Sequence, residues 1–487
     1  MISLIKHLKH FLILLGLLSF FQSSAQEIKS YPGFYDEMNN KISVDSSAKL
    51  LINKINIIGN NKTKDYIILR EMKIKKGDSI IAANLFEAIE ESHNLIYNTS
   101  LFSEVAIEPV LTTAFTVTLN IILKERWYIY PTPQFKLVDR NFNEWWKTYN
   151  ADFNRVIYGA KFLHYNISGR GDQLRIFLQN GYARNFSISY SSPYSNKRLD
   201  EGYSIGFNLT QNREFPYKTS YNNGLLLYKK SNFERDGVLI NATYISRKGY
   251  FKKHYFSFLF NYIKVNDSVL TSPYNPHYLN STKSSISFPD LIYTYSYNNT
   301  NKVDFPLKGK SYSFSIVKRG LGLSDGINMF AFDATFKKYF TLRNHFYTNI
   351  QLFTKVKLPF KQPYINQRSL GYGNFYLRGL EYYVIDGVAA ALSKYTISKK
   401  IVSFKIPVPF NIKAIPYIPF SFYAKTFADA GFSYNSKEYD TRLNNTLLYT
   451  GGIGIDMLTL YDININLEYS FNQLREKGLF LHVKGSL

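Results

Sequence analysis

The residue whose setting most invites chemistry is Arg378, held in the stretch Gly371 to Gly387 that reads GYGNFYLRGLEYYVIDG. Gly371, Gly373 and Gly379 let the backbone turn sharply, and the guanidinium offers a fixed fork of donors. That fork needs a carboxylate or carbonyl partner once it leaves bulk water, so the chemistry on offer is ion pairing and tethering. Taken by themselves these residues also describe an ordinary glycine-bearing surface loop with a solvated arginine. Covalent chemistry finds less support. With residues 1–25 set aside, the histidines are His93, His164, His254, His277, His345 and His482; they are scattered, and neither Gly-x-Ser-x-Gly nor His-Glu-x-x-His occurs. Nothing positions a nucleophile beside any of them, so no catalytic residue is assigned and no enzyme is expected. The absence of cysteine removes disulfides and thiolate metal sites, and no metal ligand or cofactor is expected.

The segments on either side of the loop alternate apolar and polar residues, so the loop joins two strands of an antiparallel sheet. The same period of two runs from Trp127 onward. In Asp462 to Ser470, Ile463, Ile465, Leu467 and Tyr469 point one way and Asp462, Asn464, Asn466 and Glu468 the other. Tyr312, Phe314 and Ile316 likewise oppose Ser311, Ser313 and Ser315. A soluble sandwich would have to bury all those greasy faces in one shared core, and so long a stretch of alternation is too much for that. Aromatics at 17% with slightly negative mean hydropathy suit strands that meet lipid on one face and water on the other.

The start of the chain reads as an export signal. Lys6 and Lys9 precede an apolar run from Phe11 to Phe21, and Ser23-Ser24-Ala25 forms a small-residue cleavage site, so residues 1–25 are expected as a signal peptide. No later run reaches the length a spanning helix needs, so a membrane location implies a closed β-barrel. The formal charge of +23 is spread through the chain rather than gathered in a patch, so nucleic acid is not an expected partner, whereas anionic lipid is compatible.

Residues 26–48 read as a polar linker. A compact unit follows over 49–126. Leu51 to Gly59 is a strand, Thr63 to Lys73 a short helix with Thr63 or Asn61 placed to cap it, and Ala82 to Tyr97 a second helix with Leu85, Ile89 and Ile96 on one side. Leu101 to Pro109 and Phe115 to Glu125 close it as strands, giving β-α-α-β-β. Ile55-x-Ile57-x-Gly59-Asn60, Thr63, Arg70-Glu71, Gly77-Asp78 and Asn98-Thr99-x-Leu101-Phe102-x-x-Val105 together resemble a polypeptide-transport-associated (POTRA) domain. The resemblance implies a periplasmic module that receives unfolded outer-membrane polypeptides along its sheet edge, which suits β-augmentation.

Over 127–487 about seventeen candidate strands can be counted, and bacterial barrels carry an even number. The weakest, 222–230, is assigned to a hairpin projecting from an outer loop, so the expected fold is a mainly β, 16-stranded antiparallel transmembrane β-barrel behind one small α+β domain. This plan resembles the BamA/TamA superfamily of outer-membrane barrels, in a single-POTRA form of the bacterial surface antigen type. Its marker is a loop motif [VL]-R-G-[FY], present here as Leu377-Arg378-Gly379-Leu380 with leucine in place of the aromatic. The resemblance implies that the loop folds into the lumen and that its arginine pairs with acids on the inner wall. The matching wall segment is Phe427-Ala-Asp429-Ala-Gly431, which makes Asp429 the expected partner. A second acid expected near Tyr395-Thr396 is absent, which leaves either a single partner or a substitute such as Asp456 or Glu468. Asp139 to Trp146 is also family-like.

The function implied is insertion, assembly or translocation of polypeptides at the outer membrane, with outer-membrane lipid, unfolded clients and accessory lipoproteins as partners. Pro131 and Pro133 either shorten pairing at the junction of first and last strands or simply end the linker. The competing reading is a passive pore or solute- or lipid-handling channel without insertase activity.

Overall fold

Strict two-residue alternation allows each strand one dry and one wet face, and in the computed structural model the strands resolve this by curling round until the first and last lie near each other. It describes residues 34–36, 41–42, 44–138, 146, 150–323, 326–408, 417–436 and 439–485. The expected signal peptide and residues 139–145 of the family-like stretch Asp139 to Trp146 fall outside the described residues.

Sixteen antiparallel strands follow one another in a single ladder, from Ile129–Leu137 to Lys477–Lys484. Two short pairs interrupt the chain order without entering the ladder: the hairpin Glu214–Thr219 with Leu225–Lys229, and Arg368–Leu370 with Ile385–Asp386 inside the arginine loop. The outward faces are apolar and open, with Phe314, Ile453, Leu467 and Phe471 all exposed, whereas Asn464, Asn466, Glu468 and Ser470 are buried inside. Exposed apolar side chains around a closed sheet are what lipid contact requires. Among the described residues no helix is long and apolar enough to cross a membrane.

The small domain packs two helices, Asp65–Glu71 and Ala82–Tyr97, on a six-stranded sheet. Its core is Leu50, Ile52, Ile67, Ile68, Leu85, Ile96, Phe102, Leu119 and Ile121. The expected cap does not form: the first helix has Lys64 at its N-cap without a side-chain bond. Thr63 is instead buried under the first barrel turns, its hydroxyl 2.9 Å from Asn166 Nδ2 and 3.2 Å from Tyr128 Oη. Burial against a second domain outweighs a local cap of about 1 kcal/mol. The segment read as a linker carries two short strands, Phe34–Asp36 and Lys41–Ile42. The former lies parallel to Phe102–Thr113 at Val110 and Leu111.

Two buried ionic clusters fix this domain to one mouth of the barrel. Glu71 receives both guanidinium nitrogens of Arg247, at 2.5 and 2.7 Å, and the Tyr194 hydroxyl at 2.8 Å. Asp462 accepts from Tyr97 Oη at 2.6 Å and Lys302 Nζ at 2.9 Å. Burial, then the neighbouring carboxylate, pushes the Tyr97 and Tyr194 hydroxyls well above the ordinary phenol range, so both stay donors.

Adjacent residues of one strand make the two faces testable. Phe314→Arg puts a cation against lipid and is expected to cost roughly 2–4 kcal/mol, while Ser313→Arg on the lumen face is expected to be tolerated. Equilibrium unfolding from lipid vesicles measures both; equal losses would contradict the assignment of faces.

Candidate functional site

The loop that opened the sequence analysis leaves the far mouth of the barrel, between strands Phe346–Leu358 and Ala389–Pro407, and turns back into the lumen. Its apolar residues drive that return: Leu370, Leu377, Leu380 and Ile385 pack with Leu392 and Leu448 on the wall and with Leu443 in the turn before Leu448's strand. Leu380, which stands where the motif has an aromatic, is fully enclosed in this cluster. Gly379 has φ +91°, and a Cβ there would lie 2.9 Å from Ser470 Cβ, so only glycine fits both the turn and the close approach.

That turn delivers Arg378 to the wall. Its Nη2 lies 2.5 Å from Asp429 Oδ1 and its Nε 3.0 Å from Oδ2, a bidentate pair, and its backbone N–H also donates to Oδ2 at 2.9 Å. Nη1 donates to Thr396 Oγ1 at 3.0 Å and Nη2 to the Tyr395 carbonyl at 3.2 Å. The Phe427 ring lies 4.0 Å from the guanidinium carbon. Arginine is therefore satisfied on three sides while it and Asp429 are almost wholly buried.

The place where a second acid was expected is filled by the Thr396 hydroxyl and the Tyr395 carbonyl. Asp456 and Glu468, offered as substitutes, take a different partner: Lys425 Nζ sits 2.5 Å from Asp456 Oδ1 and 2.6 Å from Glu468 Oε1. The inner wall thus holds a second buried charge cluster beside the first. Lys357 closes the loop at its base, donating to the carbonyls of Asn366, Arg368 and Gly387 at 2.6–3.1 Å.

The hairpin 214–229 leaves the ladder but does not project. It folds over the loop, with Thr219 Oγ1 donating to Asp386 Oδ2 at 2.6 Å and Asn223 Nδ2 to the Val384 carbonyl at 3.0 Å. Phe215, Tyr228, Val269, Tyr278, Leu279, Phe288 and Tyr364 form an apolar cap above it. No local sequence signal marks Thr219 or Asn223 as clamps, because their partners lie more than a hundred positions away.

The two ends of the ladder form the second part of the site. Tyr165 N–H donates to the Tyr128 carbonyl at 2.8 Å and Val138 N–H to Arg155 at 3.1 Å, so even-numbered residues of the first strand face the second. Odd-numbered residues turn their backbone groups to the free edge, and two of these are Pro131 and Pro133, which have no N–H to offer. No ladder joins Ile129–Leu137 to Lys477–Lys484 among the described residues. The ends are nevertheless brought round to each other. Trp127 N–H donates to Tyr461 Oη at 3.3 Å, and Gly485 lines a void of about 520 Å³ with Lys161, Tyr165, Arg175 and Ser187 of the early strands.

A sixteen-stranded barrel, lipid-facing outside and plugged by an arginine loop, behind one small α+β domain, defines an outer-membrane barrel of the POTRA-bearing class. Residues 166–459 match the Omp85 superfamily domain, and residues 50–126 match the POTRA pattern described as a surface antigen variable number repeat. The chain belongs to the Omp85 superfamily. It is 28% identical over 210 residues to outer membrane protein assembly factor BamA of Neorickettsia risticii (strain Illinois), covering 42% of this chain and 25% of that protein. The match therefore spans about a quarter of that relative's length. Among solved structures, CdiB from Escherichia coli is similar at TM-score 0.51 and 11% identity, over 90% of this chain and 76% of that one, a likeness of fold alone. BamA from Haemophilus ducreyi lacking POTRA domains 1-3 gives TM-score 0.46 at 17% identity, over 94% and 88%.

Arg378→Ala strands the Asp429 carboxylate in the lumen and is expected to cost roughly 3–5 kcal/mol. Arg378→Lys, which loses the fork, should recover only part of this. Removing both partners in Arg378→Ala/Asp429→Ala should be less harmful than the single change. The temperature at which the compact band of the unheated protein is lost in gel electrophoresis reports each; an unchanged temperature in Arg378→Ala would contradict the tether.

Proposed function

We propose that this protein inserts or translocates polypeptides at the outer membrane, taking extended clients at the small domain and releasing them through the junction of its first and last strands. The observation that carries the reading is the free edge described above: among the described residues no ladder joins the first and last strands, and proline deletes two donors on that edge. An unpaired edge is a template for any extended chain, whatever its sequence. The terminal strand supplies the complementary template, with Leu479, Leu481 and Val483 turning the most exposed apolar side chains of the strand to lipid.

In this reading the small domain stands in the periplasm and accepts incoming polypeptide along Phe102–Thr113, which among the described residues is paired on that side only at Val110 and Leu111. The chain's own Phe34–Asp36 already uses that edge at Val110 and Leu111, a local instance of the same strand addition. The relative from Neorickettsia risticii is described as an assembly factor, which supports the same assignment. Accessory lipoproteins are proposed from the resemblance alone. Covalent catalysis is not part of the proposal.

An open channel fits less well. The returning loop occupies the lumen and the apolar cap with its hairpin covers the far mouth, so a passive pore would have to displace both.

The purified protein in lipid vesicles is expected to accelerate folding of a urea-unfolded outer-membrane barrel relative to empty vesicles. Pro131→Val/Pro133→Val restores two edge donors at about 1 kcal/mol each and should slow that reaction on the order of tenfold. Equal client folding with and without the protein would end the proposal; a faster double variant would end the role given to the prolines.

A further inference from the structure

His482, scattered among the other histidines in the sequence, comes to rest in the lumen beside two carboxylates from different parts of the chain. Its Nε2 lies 3.1 Å from Glu381 Oε1 and 4.0 Å from Glu468 Oε2, and one donor atom from each of the three residues falls within 4.8 Å of the others. Glu381 follows the arginine motif in the returning loop, Glu468 belongs to strand Asn464–Asn472, and His482 to the terminal strand.

The hydrogen bonding around these groups is incomplete. Glu468 is 2% exposed, yet its Oε2 is buried and accepts no hydrogen bond from the described residues. Lys425 satisfies only the other oxygen of Glu468 and shares itself with Asp456. The imidazole cannot close the gap, because Nε2 carries at most one hydrogen and Glu381 Oε1 already lies in its path at 3.1 Å. A buried anionic oxygen without a partner is costly, and the usual remedies are a positive charge or a metal ion.

We propose that Glu381, Glu468 and His482 bind one divalent transition-metal ion of the zinc type, which ties the lumen loop to the terminal strand. Two carboxylates and an imidazole are a common three-ligand set for such an ion, leaving further positions to water. Ligand distances of roughly 2.0–2.2 Å require the donors to close in from their present spacing. Rotation of the two flexible glutamate side chains supplies that movement without shifting a strand. Because His482 lies on the strand that ends the ladder, the bound ion would hold the free edge against the loop, and its removal would loosen that edge. No metal site is expected from the sequence, because the three residues span 101 positions and meet only through the loop's return and the strand register.

The test uses the full chain folded in detergent, stripped with chelator and titrated with Zn²⁺, and separately with Co²⁺ followed by its visible absorption. Saturable binding of one ion per chain is expected, weakened at least tenfold in Glu381→Gln and in His482→Gln, with His93→Gln and His345→Gln unchanged. Zn²⁺ should also raise the temperature at which the compact band is lost, in the parent chain but not in Glu381→Gln. Glu381→Gln keeps the loop's shape and carries the test alone if His482→Gln does not assemble. No stoichiometric binding, or binding equal in the parent and Glu381→Gln, would overturn the site.

Discussion

The lumen of this barrel holds an apolar cluster around the returning loop, but one buried guanidinium–carboxylate pair fixes where that loop sits. Arg378 and Asp429 are both nearly inaccessible, and neither could remain there uncompensated, because an isolated charge at that depth costs several kcal/mol. Bidentate geometry, a backbone donor and the Phe427 face make the pairing directional. The loop is therefore held in one position and one orientation, and everything else attached to it inherits that position. Neighbouring wall charges obey the same constraint, with Lys425 shared by Asp456 and Glu468.

From that anchor the connections run in three directions. Toward the far mouth, Asp386 and the Val384 carbonyl receive the hairpin through Thr219 and Asn223, which ties cap to plug. Toward the strand ends, the Gly379 carbonyl accepts from Asn472 Nδ2 at 2.8 Å and Glu381 reaches His482, which places the plug beside the unpaired edge. At the near mouth, Glu71 with Arg247 and Asp462 with Lys302 fix the small domain. Lipid imposes the curled outer ladder, the charged plug fills the inside, and the junction of the first and last strands is the one seam where, among the described residues, no ladder forms.

Much of this was legible because period-two alternation is a strong signal when it meets a single interface. The stretch Asp462 to Ser470 declares its inward and outward residues one by one, whereas Asp429 is named by the wall segment that the resemblance supplies. The weak strand near 222–230 read as a hairpin because it broke the even count, although nothing local revealed that it would fold down onto the loop. What stayed hidden were partners with no side-chain signature or no sequence proximity. A carbonyl at Tyr395 and a hydroxyl at Thr396 stand in for an acid, and no motif records a backbone acceptor. Asp456 and Glu468 stand in the sequence only as substitutes for a missing second acid, and the register of three strands shows that Lys425 reaches them first. The prolines at 131 and 133 were ambiguous for a similar reason: whether a missing N–H matters depends on which neighbour that residue faces. Thr63 looked like a cap until a second domain buried it.

The account rests on the loop being locked inside the barrel by Arg378, and hydrogen exchange at the Arg378 amide measures this most directly, since that N–H donates to the buried Asp429 carboxylate. Exchange as slow as that of the neighbouring wall strands, Ala389–Pro407 and Tyr417–Tyr434, is the predicted result. Exchange at the rate of an open, solvated loop while those strands remain protected would contradict it.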